Sequence, residues 1–444
     1  MMSEMLERYK THFDAFEKSM NGESTSAIHV RRREAMEKFL ELGFPTTKHE
    51  EWRFTNVTPI SQTRFHPSTS SANTGASRAQ IEKFFLSEAD GARLVFIDGL
   101  FSPEFSNVDK KPGRITIDSL ANALKANEPA VEAHLGKTAA FDDNGFVALS
   151  TAFMHDGAFI HVPDSETIAG PIQLLYIATG DSQPRVASPR NLVIVGKNAQ
   201  VSIVEGYYHL RDRSYFTNTI SEIVVGEDST VEFDRVINES DSAYHVSGLH
   251  VTQKTSSVFT SNAISLSGLI IRNNVTVVLG GEHAECTLNG LSLGTGEELI
   301  DNHTTIDHAS ANCDSHELYK AILDGKSRGV FNGKIFVRKD AQKTDAKQTN
   351  KTLLLSDEAT IDTKPQLEIF ADDVKCTHGA TVGQLDDEQI FYLRARGISL
   401  DDARDLLTRA FALSVISKIR IEPLRRELDA MLQSKLRLGR LEND

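Results

Sequence analysis

The run Val224-Val225-Gly226-Glu227-Asp228-Ser229-Thr230-Val231-Glu232-Phe233, VVGEDSTVEF, holds the local rule from which the fold can be read. Two β-branched residues lead into small and polar residues suited to a tight turn, and an apolar alternation resumes on the far side. Upstream the same unit occurs as HVPDSETIAG (161–170) and IVGKNAQVSI (194–203). Downstream it returns as VLGGEHAECTL (278–288), FVRKDAQKTD (336–345) and LLSDEATIDT (354–363). A strand–turn–strand unit repeated over more than two hundred residues suggests a solenoid or a β-sandwich. The irregular spacing and the lack of a Cys–Trp–Cys pattern favour a parallel β-helix, in which each coil buries its inward side chains against the next. The hexapeptide of left-handed β-helices is missing, so the expectation is a right-handed one.

Helical periodicity flanks this region. Leu6, Tyr9, Phe13, Phe16 and Met20 recur at spacings of three and four, and Val30, Met36, Phe39 and Leu40 do nearly the same before Gly43, where a helix should stop. HPSTSSANTGAS (66–77) reads as a flexible loop, ARLVFIDG as a strand entering a turn, and 118–135 as helical. Beyond Gly383, DDEQIFYLRARG predicts a helix ended by Gly397. Ser399 then caps a second helix with Asp402 at its third position, and Pro423 suits the first turn of a third. The expected class is mainly β, with a mainly helical domain over 1–140, a parallel β-helix over 141–385 and a helical domain over 386–444. On the second of the C-terminal helices, Ala403, Leu406, Leu407, Ala410, Phe411, Ser414 and Val415 share a side. Such a stripe either caps the solenoid or docks another protein.

Composition narrows the function. The 444 residues carry 48 Lys and Arg against 62 Asp and Glu, a net charge of −14, which disfavours nucleic acid and acidic membrane surfaces as partners. Three cysteines without CxxC spacing point to a reducing compartment. No run approaches the ~20 apolar residues of a membrane span. The opening MMSEMLERYKTHFDAF has neither the apolar core of a signal peptide nor the Arg-rich, acid-poor character of a transit peptide, so a cytoplasmic location is expected. A P-loop and an HExxH are lacking.

Cys376 and His378 in ADDVKCTHGATVG (371–383) are the sharpest chemical candidates. On a strand, residues i and i+2 face the same way, so the thiol and imidazole are neighbours. Together they form a soft ligand pair for iron, copper or zinc, or a nucleophile–base pair. Equally, they can be a core thiol and a histidine bonded to a turn. A second group, His303, His308, Cys313 and His316, offers four potential ligands at a spacing that fits no tetrahedral pattern well. His245 and His250 are weaker candidates, and Cys286 reads as core.

Residues 327–399, from SRGVFNGKIFVRKDAQKTDAKQTNKTLLLS to ADDVKCTHGATVGQLDDEQIFYLRARGIS, resemble the signature block of the SufB/SufD family of the SUF machinery for iron–sulfur cluster assembly. GFPTTKHEEWRFTN (43–56) is similar to a motif that marks the SufD branch of that family. The resemblance implies the same three-part architecture and a non-catalytic scaffold. It also implies a complex with a SufB-like paralogue and two copies of a SufC-like ABC ATPase, the ATPase docking on the C-terminal helices near Leu406, Leu407, Ala410 and Phe411. A homodimer without the paralogue is a further possibility. His378, with Cys376, matches the position that the family places at the paralogue interface, where iron or a nascent cluster is held transiently, so none is expected on the isolated chain. Two other classes compete: a β-helical carbohydrate-active lyase or hydrolase, and a stand-alone structural interaction protein.

Overall fold

The computed structural model describes residues 2–20, 26–68, 76–87, 91–108 and 114–441. Most of the polar stretch 66–77 therefore lies outside the described residues, although His66 and Pro67 form a short parallel pairing with Arg185 and Val186.

Two long sheets, parallel except at their N-terminal ends, face one another and form a β-solenoid. One runs from Thr116–Ser119 and Ala158–Val162 through Arg190–Val195, Phe216–Val225, Tyr244–Gln253, Ile270–Leu279, Leu299–His308 and Arg328–Val337 to Thr360–Ile369. The other runs from Leu100–Phe101 and Arg93–Ile97 through Ile172–Ala178, Gln200–His209, Thr230–Asn238, Val258–Ser267, Glu285–Gly294, Asp314–Leu323 and Asp345–Leu354 to Lys375–Gly383. The chain alternates between the sheets, one strand in each per coil. Strands at 93–97 and 116–119 already belong to the sheets, so the solenoid draws on residues from within the first 140.

The turn inside VVGEDSTVEF explains the repeat. Ser165, Asn198, Asp228, Ser256, His283, Asn312 and Lys343 all have positive φ at the same corner of successive coils. This left-handed conformation is disfavoured for most side chains, and Asn, Asp and Ser suit it better than branched residues because they are short and polar. The N–H of each such residue reaches the next coil: Asn198 donates to the Glu227 carbonyl at 2.9 Å, Asp228 to Thr255 at 3.0 Å, Asn312 to Gln342 at 2.8 Å and Lys343 to Asp373 at 2.7 Å.

Parallel sheets are stable when both faces are covered. The inward faces meet in an apolar core that includes Val195, Val225, Val231, Phe259, Ile271, Val277, Cys286 and Ile306. On the first sheet's outer face, the N-terminal helices Met2–Lys18 and Ala27–Leu42 and the helix Gly145–Ala152 bring Tyr9, Phe13, Phe39 and Phe146 against Phe216, Val246 and Ile270. On the second, the helices Leu400–Ile416 and Glu422–Leu441 set Ala412, Val415, Ile416, Leu424 and Leu428 against Val236, Ile264, Leu291 and Ile322. Gly43, at φ 65°, ends the second helix as expected, its N–H bonded to the Phe39 carbonyl. Ser399 caps its helix by accepting from the Asp402 N–H, and Pro423 falls in the first turn of the last.

The motif at 43–56 fastens the N-terminal layer to the solenoid. Arg272, buried on the outer face of the first sheet, pairs with Asp301 at 2.5 Å, donates to the Glu51 carbonyl at 2.9 Å and lies 4.2 Å from the centre of the Trp52 ring. The Thr55 hydroxyl also bonds to Asp301. His303 bridges Glu51 and Asp301 at 3.2 and 3.1 Å. Burial works against a charge on Asp301, but Arg272 and then His303 outweigh it and hold the carboxyl well below its usual range.

Candidate functional site at the open end of the solenoid

The last coil has one unpaired side. Among the described residues Thr360–Ile369 pairs only with Arg328–Val337, and Lys375–Gly383 only with Asp345–Leu354. A strand bonded on one side leaves a row of N–H and C=O groups directed outward. Ile369, Phe370 and Val382 are exposed on or beside these strands, and Phe391, 74% exposed, and Tyr392 on the helix Asp387–Arg394 that follows them.

Cys376 and His378 lie on this terminal strand, opposite Ala346 and Gln348 of the preceding coil. Cys376 faces inward and packs beside Ile335, Val337, Ala341 and Ala346. His378, two residues on, shares that face and is exposed. Burial, and then the negative charge of Asp345, push the Cys376 thiol above its ordinary range. The resting thiol is therefore protonated at neutral pH, and a positive charge such as a bound metal ion would favour its thiolate.

Beneath the pair the interior becomes polar. Gln348 donates through Nε2 to Glu317 Oε2 at 2.7 Å, one coil further in. Both side chains are buried. Burial pushes the Glu317 carboxyl up to about 7, opposed by Thr304 and Gln348. Gln348 Oε1, Asn350 Oδ1 and Thr352 Oγ1 are buried without a hydrogen-bond partner among the described residues. An apolar β-helix core has no need of such groups, and leaving them unpaired costs stability. The sequence reading passed over Gln348 and Glu317. The available signal was the alternation in DAKQTNKT (345–352), which puts Ala346, Gln348, Asn350 and Thr352 on the inward face.

The group at 301–316 does not converge. His303 sits on the outer face of the first sheet against Glu51. His308 is buried, bonded to the Ser315 hydroxyl at 2.9 Å, and burial lowers its pKa to about 4. Cys313 lies in the apolar core at a corner, and His316 is exposed on the second sheet. Strand alternation separates side chains that are close in sequence, and among the described residues no group of three or more His, Cys, Asp or Glu could hold a metal ion. His245 is bonded to Glu239 at 2.9 Å. Burial lowers His250 to about 4. Cys286 is core, its thiol raised by burial. A closed coordination sphere at Cys376 and His378 would need ligands from outside the chain or from the cargo.

On Leu400–Ile416 the buried side chains are Ala403, Thr408, Ala412, Val415 and Ile416. Leu406, 46% exposed, and Ala410 face away from the solenoid. Leu407 and Phe411 are half-buried, with Lys320 Nζ 4.1 Å from the centre of the Phe411 ring and bonded to its carbonyl.

Two family models match. Residues 3–174 match the SufBD protein N-terminal region, and residues 176–411 match the SufBD core domain of SUF system FeS cluster assembly. An iron–sulfur cluster assembly SufBD family protein of Synechocystis is 34% identical, the match covering 94% of this chain and 91% of that protein. The iron–sulfur cluster assembly protein SufD of Escherichia coli is 31% identical, with coverage of 90% and 91%. SufD of Bacillus subtilis is 25% identical, with coverage of 91% and 93%. Among the described residues no helix is long and apolar enough to cross a membrane.

Proposed function

The chain belongs to the SufBD family of the SUF system for iron–sulfur cluster assembly, and from that premise we propose that it is the SufD-type scaffold subunit of a complex with a SufB-like paralogue and a SufC-like ABC ATPase. In this reading it is a cytoplasmic, non-catalytic scaffold that supports iron acquisition and cluster building where the two paralogues meet. ATP hydrolysis belongs to the partner.

The observation that carries the reading is the open last coil, with its free strand edge, exposed apolar rim and soft ligand pair Cys376 and His378. An unpaired edge of this length invites strand addition by another chain, and an exposed apolar rim around it adds area to bury. Iron and the nascent cluster are the substrate here. The chain supplies one imidazole nitrogen and one thiolate, and the paralogue supplies the remaining ligands. The outward side of Leu400–Ile416, with Leu406 and Ala410, is the proposed ATPase contact, its inward side being occupied by the solenoid.

The reading is tested by co-expressing the chain with the paralogue and ATPase of its source, then measuring the mass of the purified complex and its iron and sulfide content. A defined complex that gains iron and sulfide supports it. Failure to associate with either protein would overturn it.

A further inference from the structure

We propose that Gln348 is a positioning residue for His378: its side-chain oxygen accepts the N–H of one imidazole nitrogen and leaves the other nitrogen, with its lone pair, directed to the open end. The inference rests on the reading of His378 as an iron ligand, and adds the part of the site that orients it.

Three observations support it. First, His378 occupies the register position opposite Gln348, and Gln348 the position opposite Glu317, so the three form one inward column across successive coils. Adjacent strands are about 4.8 Å apart, within reach for a glutamine amide and an imidazole stacked in register. Second, the amide is fixed at one end only. Its Nε2 donates to Glu317 Oε2 at 2.7 Å, while its Oε1 is buried with no partner among the described residues, His378 included, so the proposed bond forms when the exposed imidazole rotates toward it. Above about pH 7, where Glu317 is ionised, its carboxylate only accepts, so bonding to it sets the amide with nitrogen toward Glu317 and leaves the oxygen as a free acceptor. Third, the seat of the amide is shaped for it. A Cβ at Gly333, on the opposite sheet, would lie 2.3 Å from Gln348 Nε2, so the absence of a side chain at 333 makes room for the amide.

A metal-binding histidine characteristically donates its second N–H to an oxygen that fixes tautomer and ring orientation. Glu317 and Gln348 would supply that support from two coils of one sheet, which holds the acceptor on a rigid frame.

The test reads the tautomer of His378 directly in the isolated full-length chain. With ¹⁵N-histidine labelling, long-range ¹H–¹⁵N correlations at a pH where the ring is neutral report which nitrogen carries the proton, and the signal of His378 among the 15 histidines is assigned by its loss in His378→Ala. The wild type should show one tautomer. Gln348→Met, which keeps length but removes the acceptor, should relax it to the mixture of a free imidazole. The exchange Glu317→Gln with Gln348→Glu, which reverses the donor and acceptor but keeps an oxygen toward His378, should restore a single form. In the co-expressed complex, Gln348→Met should weaken ferrous iron binding by about 10–100-fold without changing the mass of the complex. A tautomer mixture in the wild type, ring nitrogens unmoved by Gln348→Met, or unchanged iron affinity despite a relaxed tautomer would each overturn the proposal. The wild-type spectrum decides even where a variant fails to fold. Failure of the ligand reading is a separate result, since it would appear as normal iron binding and cluster assembly by His378→Ala.

Discussion

Arg272 lies with its guanidinium 4.2 Å from the centre of the Trp52 ring, joining the solenoid to a segment more than two hundred residues earlier in the chain. The same guanidinium pairs with Asp301 and both side chains are buried, so removing Arg272 leaves the Asp301 carboxylate with only His303 and the Thr55 hydroxyl beside it. Breaking such a pair costs about 3–5 kcal/mol. Arg272→Leu should therefore release the segment 43–56 from the first sheet. Limited proteolysis should cut there well before the wild type is cut, while circular dichroism keeps its β-sheet signal.

His378→Ala should leave expression, β-sheet content and assembly with the two partners nearly unchanged, and should lower cluster formation on the complex at least tenfold. The side chain is exposed, so its loss creates no cavity. An exposed histidine with only a structural role would instead give a stability change within about 0.5 kcal/mol and full activity. Cys376→Ser keeps size but is a poor iron ligand, and its defect should be milder if the proposed paralogue supplies thiolates. Iron and sulfide quantified per complex separate these outcomes.

Docking of the ATPase is best probed at Leu406. Phe411 touches Lys320 of the solenoid, so charge placed there would disturb the scaffold as well as any docking face. Leu406→Asp and Ala410→Asp lie on the outward side and should reduce ATPase capture at least tenfold with an unaltered melting temperature. Full capture by the double variant would place the contact elsewhere.

Asp234 predicts a pH dependence of stability. It stacks with Asn262 and Asn289 along the second sheet, accepting from Asn262 Nδ2 at 2.6 Å, and burial together with Glu232 pushes its carboxyl up to about 8. In the unfolded chain the group releases its proton near the ordinary value of about 4. Between these values the native state binds a proton that the unfolded state does not, so stability falls as pH rises through the window and levels off above it. Asp234→Asn removes that loss. Urea titrations should show the variant gaining on the wild type by about 2–5 kcal/mol between about pH 4 and pH 8, and a constant difference across that range would exclude the assignment.

Local rules were legible in the sequence, and contacts between coils were not. The corner in VVGEDSTVEF could be read because Asp228 and its neighbours encode a left-handed turn within a few residues, and Ser399 with Asp402 marks a helix start equally locally. Coil length varies, however: His283 follows Ser256 by 27 residues and Lys343 follows Asn312 by 31. Without a fixed period, nothing in the sequence places Gln348 under His378 or Asp301 beside Arg272. The helical stripe was read by hydrophobicity, which grouped Leu406 and Phe411 with Val415. Small Thr408 and Ala412 instead turn toward the sheet, because close approach of helix and sheet favours small side chains over large ones.

The free edge itself can be tested through its hydrogen-bond parity. The Lys375 N–H bonds to the Thr344 carbonyl, and in a parallel strand alternate residues bond to the same neighbour. Lys375, Thr377, Gly379 and Thr381 therefore serve the preceding coil, while the N–H and C=O groups of Cys376, His378 and Ala380 face outward. Proline is tolerated on an edge strand where its missing N–H would have faced solvent. Ala380→Pro should then leave the solenoid folded and its melting temperature within a few degrees of wild type, yet deny a donor to any strand added from the paralogue. Thr381→Pro, one residue along, removes a bond that the chain needs and should lower the melting temperature clearly. Light scattering of co-expressed proteins should show the paralogue lost from the Ala380→Pro complex with ATPase binding retained. A complete complex with Ala380→Pro would mean that the paralogue docks through side chains at this end without extending the sheet.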